Sequence, residues 1–539
     1  MRRVLATAAV LVAALAWVAA AQPAVTFVFK GKGWGHGIGL GQYGAQGYAD
    51  REDRKYPWIL RHYYPGTSLV ERSATIRVLL VAGRSSLVLG SDANFRGGDA
   101  SFAAGNWTVR AGPNGRLELA RNGTVRRVPD GTTFRPGGSL LEVGHAKYRG
   151  RIVVRRSGSR VWALNRLGLD AYVKGVVPRE MPSSWHPQAL RAQAVAARSY
   201  ALAAGGHCSW FGQSVMCKDV TDQVYGGYDG EAGSTNAAVD ATAKEVLVHD
   251  GVVATTFFSS TTGGKTAAKH HEWGGERLDY LVSVPDPYDG ISPHHSWGPR
   301  DSEDDCPGAG RDCVWSGAQV GKLLSAPAGL RDMTVTRNAS SRVATVRAVG
   351  SSGSATFSGA TMRARLGLRS TWFTIGVLRL RGGGTIDKGE ARTLRGLTRN
   401  VGSVRLQRRR SGEAWTTVKN VSGAFRARVR PGATTYYRLS SPSGTTDTVR
   451  VAVRAQLRFA ADQAPGALAG VALGTGEGRA VQVQRREDGG WTTVGTALVG
   501  PGGSWTARFG VTLGVYRAYV APGRGEPVAT SPRLTVVAG

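Results

Sequence analysis

Apolar and polar positions follow a strand-like pattern in one long part of the chain and a helical pattern in another. Across residues 75–161, short apolar runs such as TIRVLLV, WTVRA and RIVVRR are bounded by Gly, Asn or Pro, which predicts a β-rich region. Residues 172–177 predict a half-buried strand, and residues 188–204 predict a helix because they are Ala-rich and lack Gly and Pro. Pro178 and Pro182 should keep the segment between them out of a helix.

The last third of the chain contains an internal repeat. The run QRRRSGEAWTTV and a later YYR recur about 80 residues further on as QRREDGGWTTV and VYR. A repeat of this length that is rich in short strands predicts two immunoglobulin-like β-sandwiches, at residues 381–455 and 456–539. We therefore expect an α+β protein in which a β-rich domain with one key helix, residues 22–380, precedes them. The aligned aromatic pairs are Trp415 with Trp491, Phe425 with Trp505 and Tyr437 with Tyr516.

The N-terminal sequence predicts where the protein is located, and its net charge indicates what kind of partner it could bind. Residues 1–21 have two arginines, an apolar run and small final residues, which predicts a secretory signal peptide; an uncleaved anchor is the alternative. We therefore expect a secreted or wall-associated protein. The net charge of +31 favours an anionic partner such as a wall polymer, although the charge could also have no specific target. No zinc-finger, homeodomain or RNA-recognition signature is present, which argues against nucleic acid.

Four cysteines in an exported chain predict two local disulfides, Cys208–Cys217 and Cys306–Cys313. We therefore expect no cofactor. Zinc stays open as an alternative, because Cys and His side chains are the usual ligands of that metal. The residues that would hold it are His207, Cys208, Cys217, His270 and His271.

The stretch YVKGVVPREMPSSWHPQALRAQAVAARSYAL, residues 172–202, resembles the signature of the stage II sporulation protein D (SpoIID/LytB) family. The resemblance implies a protein that acts on peptidoglycan. Some members are lytic transglycosylases whose acid/base is the Glu that corresponds to Glu180, and others are amidase enhancers without assigned chemistry. We interpret this chain as an exported, actinobacterial-type member.

A second family motif has moved in this sequence. The run GKGWGHGIGLGQYGAQGYA and the later ILRHYYPGT, within residues 31–67, resemble a motif that follows the central domain in the sporulation proteins but precedes it here. Circular permutation of this kind is tolerated when chain ends lie close together. His36 and Gln42 become candidate cleft residues, with a structural lid as the alternative. Residues 56–64 within this stretch predict a short helix.

Further candidates for glycan binding come from three other stretches. The run FFSSTTGGKT matches the "SSxxGG" element of the family, and the runs YLVSVPDPYD and SPHHSW are also similar to family segments. Hydroxyl, amide and aromatic groups suit sugar binding, although a Ser/Gly turn and ordinary packing would explain the same residues. The candidates beyond His36 and Gln42 are Gln193, Arg198, Ser259, Ser260, Tyr288 and His295.

These observations lead to two expectations about activity. A single carboxyl can cleave a glycan by transglycosylation, and this requires the pKa of Glu180 to be raised by burial near apolar groups. A hydrolase would need a second carboxylate besides Glu180. The structural alternative is that Glu180 has no catalytic role and only interacts favourably with a helix dipole. The rival expectation is a non-catalytic wall-binding enhancer of an N-acetylmuramoyl-L-alanine amidase. The available second carboxylates are Asp170, Asp222, Asp286 and Asp289.

Overall fold

The structure is a computed structural model of the 539-residue chain. The predicted signal peptide and Cys306 lie outside the part that it describes, so neither is discussed further. Within that part, no helix is both long enough and apolar enough to span a membrane. The described residues are 24–299, 313–454, 456–461, 463–473, 475–521 and 529–537.

The first part of the chain places two short helices before a long series of strands, as the apolar pattern predicts. The elements are β1 (Ala24–Lys32), β2 (Leu40–Gly41), α1 (Gln42–Glu52), α2 (Tyr56–Tyr63), β3 (Ser68–Glu71), β4 (Thr75–Arg84), β5 (Ser86–Ser91), β6 (Phe95–Gly97), β7 (Ala100–Phe102), β8 (Trp107–Ala111), β9 (Leu117–Arg121), β10 (Thr124–Val128), β11 (Thr133–Arg135), β12 (Leu141–Val143), β13 (Ala146–Tyr148), β14 (Arg151–Ser157) and β15 (Arg160–Gly168).

The middle of the chain contains the longest helix. The elements are α3 (Leu169–Glu180), α4 (Pro187–Ala204), β16 (Cys208–Trp210), β17 (Gln213–Cys217), α5 (Gly233–Asp240), β18 (Glu245–His249), β19 (Val252–Val253), β20 (Phe258–Ser259), α6 (Lys269–Glu272), a 3₁₀ turn (Pro287–Ile291), β21 (Ser296–Trp297), β22 (Val314–Ser316), α7 (Gly317–Leu324), β23 (Asp332–Arg337), β24 (Val343–Val349), β25 (Ser354–Ser358), α8 (Gly359–Leu366) and β26 (Phe373–Arg381).

The remaining elements are strands apart from one 3₁₀ turn. They are β27 (Gly384–Asp387), β28 (Arg392–Arg399), β29 (Val404–Arg409), β30 (Thr416–Val421), β31 (Ala424–Val429), β32 (Thr435–Ser441), β33 (Gly444–Thr445), β34 (Val449–Arg454), β35 (Gln456–Phe459), β36 (Ala467–Leu473), β37 (Ala480–Glu487), β38 (Gly490–Leu498), a 3₁₀ turn (Pro501–Gly503), β39 (Ser504–Arg508), β40 (Gly514–Val520), β41 (Ala529–Thr530) and β42 (Leu534–Val536).

Helix α4 occupies the centre of the largest core. It is buried on nearly all sides from Ala189 to Ala201, and it packs against α1, α2, α3 and α5. A helix that is apolar all round must be covered by other elements, and the small alanine side chains let those elements approach closely. The helix predicted for residues 188–204 is confirmed. His186 caps its first turn by accepting a hydrogen bond from the backbone N–H of Gln188 at 3.2 Å.

The strand predicted for residues 172–177 is wrong, because this segment belongs to α3. Valines favour a strand locally, but the apolar residues recur every three or four positions and so share one helix face. Packing of that face against α4 and α5 decides the structure. Pro178 lies inside the last turn of α3, contrary to the prediction that it excludes a helix. The buried residues of α3 are Leu169, Tyr172, Val173, Gly175, Val176 and Val177.

Two sheets form the β-rich region that the sequence predicts. One has eight strands in the order β16-β17-β4-β15-β14-β11-β6-β7, and the other has six in the order β10-β9-β8-β5-β12-β13. Most of their buried apolar residues and those of α1 to α5 belong to one core, whereas Leu164, Trp210 and Val215 form a small separate cluster. The chain is therefore β-rich with few helices, which agrees with the expected α+β class.

A third sheet continues across the predicted boundary at residues 380/381. Its order is β21-β1-β26-β28-β31, with β22 also paired to β1. One face of this sheet shares a core with the sheet formed by β27, β34, β32, β29 and β30. The first C-terminal repeat therefore packs on the strands that begin and end the preceding region.

The two C-terminal repeats have the same pattern of strand pairing. In the first repeat β29 pairs with β30 and β32, and in the second β37 pairs with β38 and β40. The aligned Trp415 and Trp491 each lie under an arginine, Arg438 at 4.2 Å and Arg517 at 4.3 Å from the ring centroid. The repeat is thus present in the structure, and the immunoglobulin-like class stays a prediction.

Candidate active site

Glu180 is the last residue of α3, and its side chain is half-buried. The backbone N–H of Val224 donates a hydrogen bond to its Oε1 at 3.2 Å, and the Gln42 side chain bonds to the same carboxylate. Burial raises the pKa of Glu180, whereas these two bonds lower it. The adjacent Arg179 is exposed, and its guanidinium lies against Gly226. The net effect is a raised pKa of Glu180, which is the direction that a general acid needs.

The glycine-rich loop brings Gln42 to Glu180. Its end, Leu40–Gly41, pairs in parallel with Phe258–Ser259 of the Ser/Gly segment, and Trp34 forms a bridge with Thr261. Alternate glycines of the loop have positive φ angles, which side chains with a Cβ rarely adopt. α1 then begins at Gln42, so the first residue of this helix faces the last residue of α3.

Two buried aspartates hold the glycine-rich loop and the Ser/Gly segment together. Asp286 accepts hydrogen bonds from the hydroxyls of Tyr63 and Thr262, each at 2.8 Å. Asp289 accepts from the backbone N–H of Thr262 at 2.8 Å and is paired with His295 Nδ1 at 2.9 Å. Burial, followed by the charge of Asp289, raises the pKa of Asp286 to about 7. Both carboxyls are fully buried, so their part is to fix the loops.

An open pocket of about 410 Å³ lies beside this arrangement. Its lining combines aromatic rings with polar groups, which is the combination that sugar sites use. Glu180 is not among the lining residues, and its charge contributes, after burial and Asp222, to raising the pKa of the lining residue Tyr200 to about 12. The lining residues are His36, Tyr200, His207, Val220, Thr221, Asp222, Phe257, Phe258 and Trp273.

A histidine-carboxylate pair forms one wall of the pocket. His207 Nδ1 lies 2.5 Å from Asp222 Oδ1, and the backbone N–H groups of His207 and Cys217 donate to Oδ2 at 3.0 and 2.7 Å. The Asp222 side chain is fully buried, whereas the His207 side chain is more than half exposed. The Cys208–Cys217 disulfide closes the hairpin next to this pair.

Comparison with known proteins identifies the segment that contains Glu180. Residues 157–249 match the model of the SpoIID family, described as Stage II sporulation protein. The chain is 38% identical over 117 residues to a Bacillus subtilis protein named Amidase enhancer, and 28% identical over 147 residues to the Stage II sporulation protein D of the same species.

The matched residues 157–249 are therefore similar to a SpoIID domain. The match to the amidase enhancer covers 22% of this chain and 15% of that protein, and the match to the sporulation protein covers 25% and 43%. An uncharacterized protein of Brachyspira hyodysenteriae is 35% identical over 142 residues, which are 26% of this chain and 37% of that protein. The chain thus spans less than half the length of these relatives, and the similarity supports a cell-wall-related role.

Gln42 lies outside the matched SpoIID domain, yet it contacts the carboxyl at the end of α3. His36 lines the pocket, but Nδ1 accepts from the backbone N–H of Ile38 at 3.0 Å and the ring also bonds to the backbone of Phe258. Burial, and then the charges of nearby arginines, lower the pKa of His36 to about 3. His36 is therefore a neutral wall residue, and both of its nitrogens are occupied by the backbone.

Two of the predicted glycan-binding residues are buried with unpartnered polar atoms. Gln193 is fully buried in α4, and neither its amide oxygen nor its amide nitrogen has a hydrogen-bond partner among the described residues. The hydroxyl of Ser259 also lacks a hydrogen-bond partner among the described residues, and its side chain lies against Gly35 of the glycine-rich loop. The neighbouring Ser260 is half-buried, and its carbonyl accepts from the backbone N–H of Tyr43 at 3.1 Å.

Arg198 has a structural environment instead of the predicted place in the cleft. It is fully buried, pairs with Asp170 at 2.6 Å, and donates to the carbonyl of Val239 at 2.7 Å and to the Thr242 hydroxyl at 3.2 Å. A guanidinium with these partners ties α4 to the chain around α5. The structure therefore leaves Arg198 no open surface on which to contact a glycan.

Tyr288 and His295 do not line the pocket that contains His207. The Tyr288 ring packs on Tyr48 of α1 at a centroid distance of 4.9 Å. His295 is paired with the buried Asp289, as described above. Both residues therefore support the loops around Gln42, and their predicted glycan contacts stay predictions.

The predicted zinc ligands are not assembled into a metal site. Cys208 and Cys217 are joined in the predicted disulfide, so their sulfur atoms are not free thiolates. His270 and His271 lie on α6, where His271 Nδ1 contacts the Ser340 hydroxyl at 2.8 Å. Over the described ranges, no three His, Cys, Asp or Glu side chains are grouped to bind a metal ion.

The sequence reading missed the partnership of His207, Asp222 and Tyr200, and it missed Trp273 as a pocket wall. The sequence indicates His207 only as a zinc ligand and Asp222 only as a second carboxylate. Tyr200 falls within the helix motif, but the direction of its side chain depends on which elements cover α4. The half-exposed Trp273 packs on Phe257, and only an isolated tryptophan in a Gly-rich loop could have indicated it.

Proposed function

We propose that the protein is an exported lytic transglycosylase that cleaves peptidoglycan glycan strands with Glu180 as its general acid and base. The observation that carries the proposal is the half-buried Glu180 carboxyl at the end of α3, whose pKa is raised by burial while Gln42 and Val224 hold its position. The similarity to the Stage II sporulation protein D of Bacillus subtilis supports a role at the cell wall.

The chemistry needs one carboxyl that acts twice. Protonated Glu180 donates its proton to the glycosidic oxygen as the bond from the muramoyl C1 to that oxygen breaks. The resulting carboxylate then takes the proton from the muramoyl 6-hydroxyl as that oxygen bonds to C1 and closes a 1,6-anhydro ring. Glu180 is protonated again at the end, so water is not consumed.

The other carboxylates named as hydrolase candidates have different partners. Asp170 is paired with Arg198, and Asp222 with His207. Asp286 and Asp289 are fully buried within the loop network. Retaining and inverting hydrolases require a second carboxyl about 5–9 Å from the acid with access to the sugar or to water. The occupied aspartates therefore favour the single-carboxyl reaction.

The test uses the full chain, because β26 and the first C-terminal repeat share a sheet. The protein is incubated with intact peptidoglycan and, separately, with glycan strands stripped of peptides, and mass spectrometry measures 1,6-anhydromuramoyl ends. We expect these ends from the wild type and their loss in Glu180→Gln. The matched control is Glu276→Gln, which removes the same charge from an exposed position. Reducing ends from the wild type would contradict the proposal and indicate a hydrolase.

The second candidate function is enhancement of an amidase. It is favoured by the 38% identity to the protein named Amidase enhancer, since a similar site could hold a glycan without cutting it. The measurement adds this protein to an N-acetylmuramoyl-L-alanine amidase and follows release of stem peptides. Stimulation that Glu180→Gln retains, together with no anhydro ends, would establish this function in place of cleavage.

A further inference from the structure

Three exposed arginines face one another across neighbouring strands of the sheet that contains β1. Arg381 of β26 is directly opposite Arg395 of β28, and Arg395 is directly opposite Arg426 of β31. Neighbouring strands are about 5 Å apart, so the three side chains emerge along a line about 10 Å long. We call these three residues the arginine row.

The arginine row has no anionic partner in the part of the chain that the structure describes. None of its guanidinium groups forms an ion pair or a hydrogen bond there, whereas nearby Arg399 is paired with Asp332 at 2.6 Å. Like charges directly opposite each other destabilise a sheet. A bound anion would remove this repulsion, so the row is suited to a negatively charged ligand.

The basic surface continues beyond the arginine row. The row and Arg379 line an open depression of about 450 Å³. A second depression of about 310 Å³ is lined by Arg408, Arg409, Arg410 and Arg430, together with Glu413, which is paired with Arg410 at 3.9 Å. Arg430 follows β31 and is four residues from Arg426, which is about 13 Å along an extended chain. We call the arginines of the two depressions together the arginine track; its two parts lie about 13 Å apart along the chain, which is longer than a single small anion.

We propose that this track binds a flexible phosphodiester polymer without bases, such as a polyol phosphate chain. Guanidinium groups match phosphate oxygens with paired hydrogen bonds, and their regular spacing along strands suits a repeating anion. Proteins that bind single-stranded nucleic acid add aromatic rings on which bases stack. The one ring lining the first depression, Phe425, packs across Gly396 against the core. The track is separate from Glu180, so the proposal does not rest on the proposed catalysis.

The experiment measures binding of the full chain to fluorescently labelled poly(glycerol phosphate) by anisotropy at several salt concentrations. The variant carries Arg381→Gln, Arg395→Gln and Arg426→Gln. We expect its affinity to fall roughly tenfold or more, and the slope of log affinity against log salt to decrease by about 2, because about three phosphate contacts are lost. These side chains are exposed, and the variant's melting temperature should equal or exceed that of the wild type because the repulsion is removed.

The matched control removes three exposed strand arginines from other sheets, with Arg96→Gln, Arg347→Gln and Arg508→Gln. Its affinity should stay within roughly twofold of the wild type, although its net charge equals that of the first variant. Equal losses in the two variants would overturn the proposal in favour of unspecific charge. Tighter binding to oligothymidylate with the same number of phosphates would overturn it in favour of nucleic acid, and absence of binding to either polymer would overturn it outright.

Discussion

Replacing Gly44 by Ala tests how closely α1 approaches the buried Asp286. A Cβ at Gly44 would overlap the Asp286 carboxyl and the Tyr63 hydroxyl, which are hydrogen-bonded to each other at 2.8 Å. Overpacking of a core costs about 1–3 kcal/mol, and loss of a buried hydrogen bond to a charged group costs about 1.5–3 kcal/mol. Alanine gains about 1 kcal/mol over glycine within a helix. The net expectation is that Gly44→Ala destabilises the protein by about 1.5–5 kcal/mol.

The matched control is Gly321→Ala, which makes the same change in α7. No heavy atom lies within 4 Å of a Cβ at Gly321, so this variant should gain up to about 1 kcal/mol. Hydrogen exchange followed by mass spectrometry measures the two helices separately, because it reports local opening free energies. Exchange of the α1 amides should be faster in Gly44→Ala, and exchange in α7 should be slower in Gly321→Ala. Unchanged protection of α1 in Gly44→Ala would refute the close approach on which the loop network depends.

Three further predictions concern protonation and the disulfide. Gln42→Ala removes a bond that lowers the pKa of Glu180, so the high-pH limb of the cleavage profile should move to higher pH; a limb that moves down or stays contradicts this role. The folded pKa of Asp286 is raised from 3.8 to about 7, so between these pH values the folded state binds a proton that the unfolded state has lost. The contribution of Asp286 to the free energy of unfolding therefore falls as pH rises from 3.8 to about 7, by at most about 4 kcal/mol. Melting temperatures of Asp286→Asn should lack this decline, and an unchanged profile would assign it to another group. Replacing Cys208 and Cys217 by Ala opens a short loop and should cost about 2–3 kcal/mol in chemical unfolding, so wild-type stability would contradict the estimate.

The sequence predicts α4 and the strands of residues 75–161 because their patterns are local. An Ala-rich run without Gly or Pro has few alternatives to a helix, and short alternating runs between turn residues have few alternatives to strands. The segment that becomes α3 is different, because its valines favour a strand whereas the three- to four-residue spacing of its apolar positions favours a helix. Only the cover provided by α4 and α5 decides between them, and a single sequence does not show which elements will meet.

The same limit applies to the candidate site. Gln42 and Glu180 are far apart in the chain, and their contact depends on the pairing of Leu40–Gly41 with Phe258–Ser259. Arg198 is the opposite case. Its place in the helix motif predicts a glycan contact, but in the structure Asp170 and three carbonyl or hydroxyl groups enclose it. Polar residues in one motif can thus face different surroundings, and burial separates them.

The position of β1 explains physically how residues 31–67, which precede the segment that matches the SpoIID model, reach Glu180. β1 pairs along its length with β26, so that Ala24 lies opposite Leu380 and Gly31 opposite Phe373. The beginning and the end of this region are therefore neighbours in one sheet, which is the condition under which a segment can be moved from one end of a domain to the other. A loop that leaves β1 starts from the same place as a loop that enters β26. Gln42 can therefore meet the Glu180 carboxyl although the two residues are far apart in the chain.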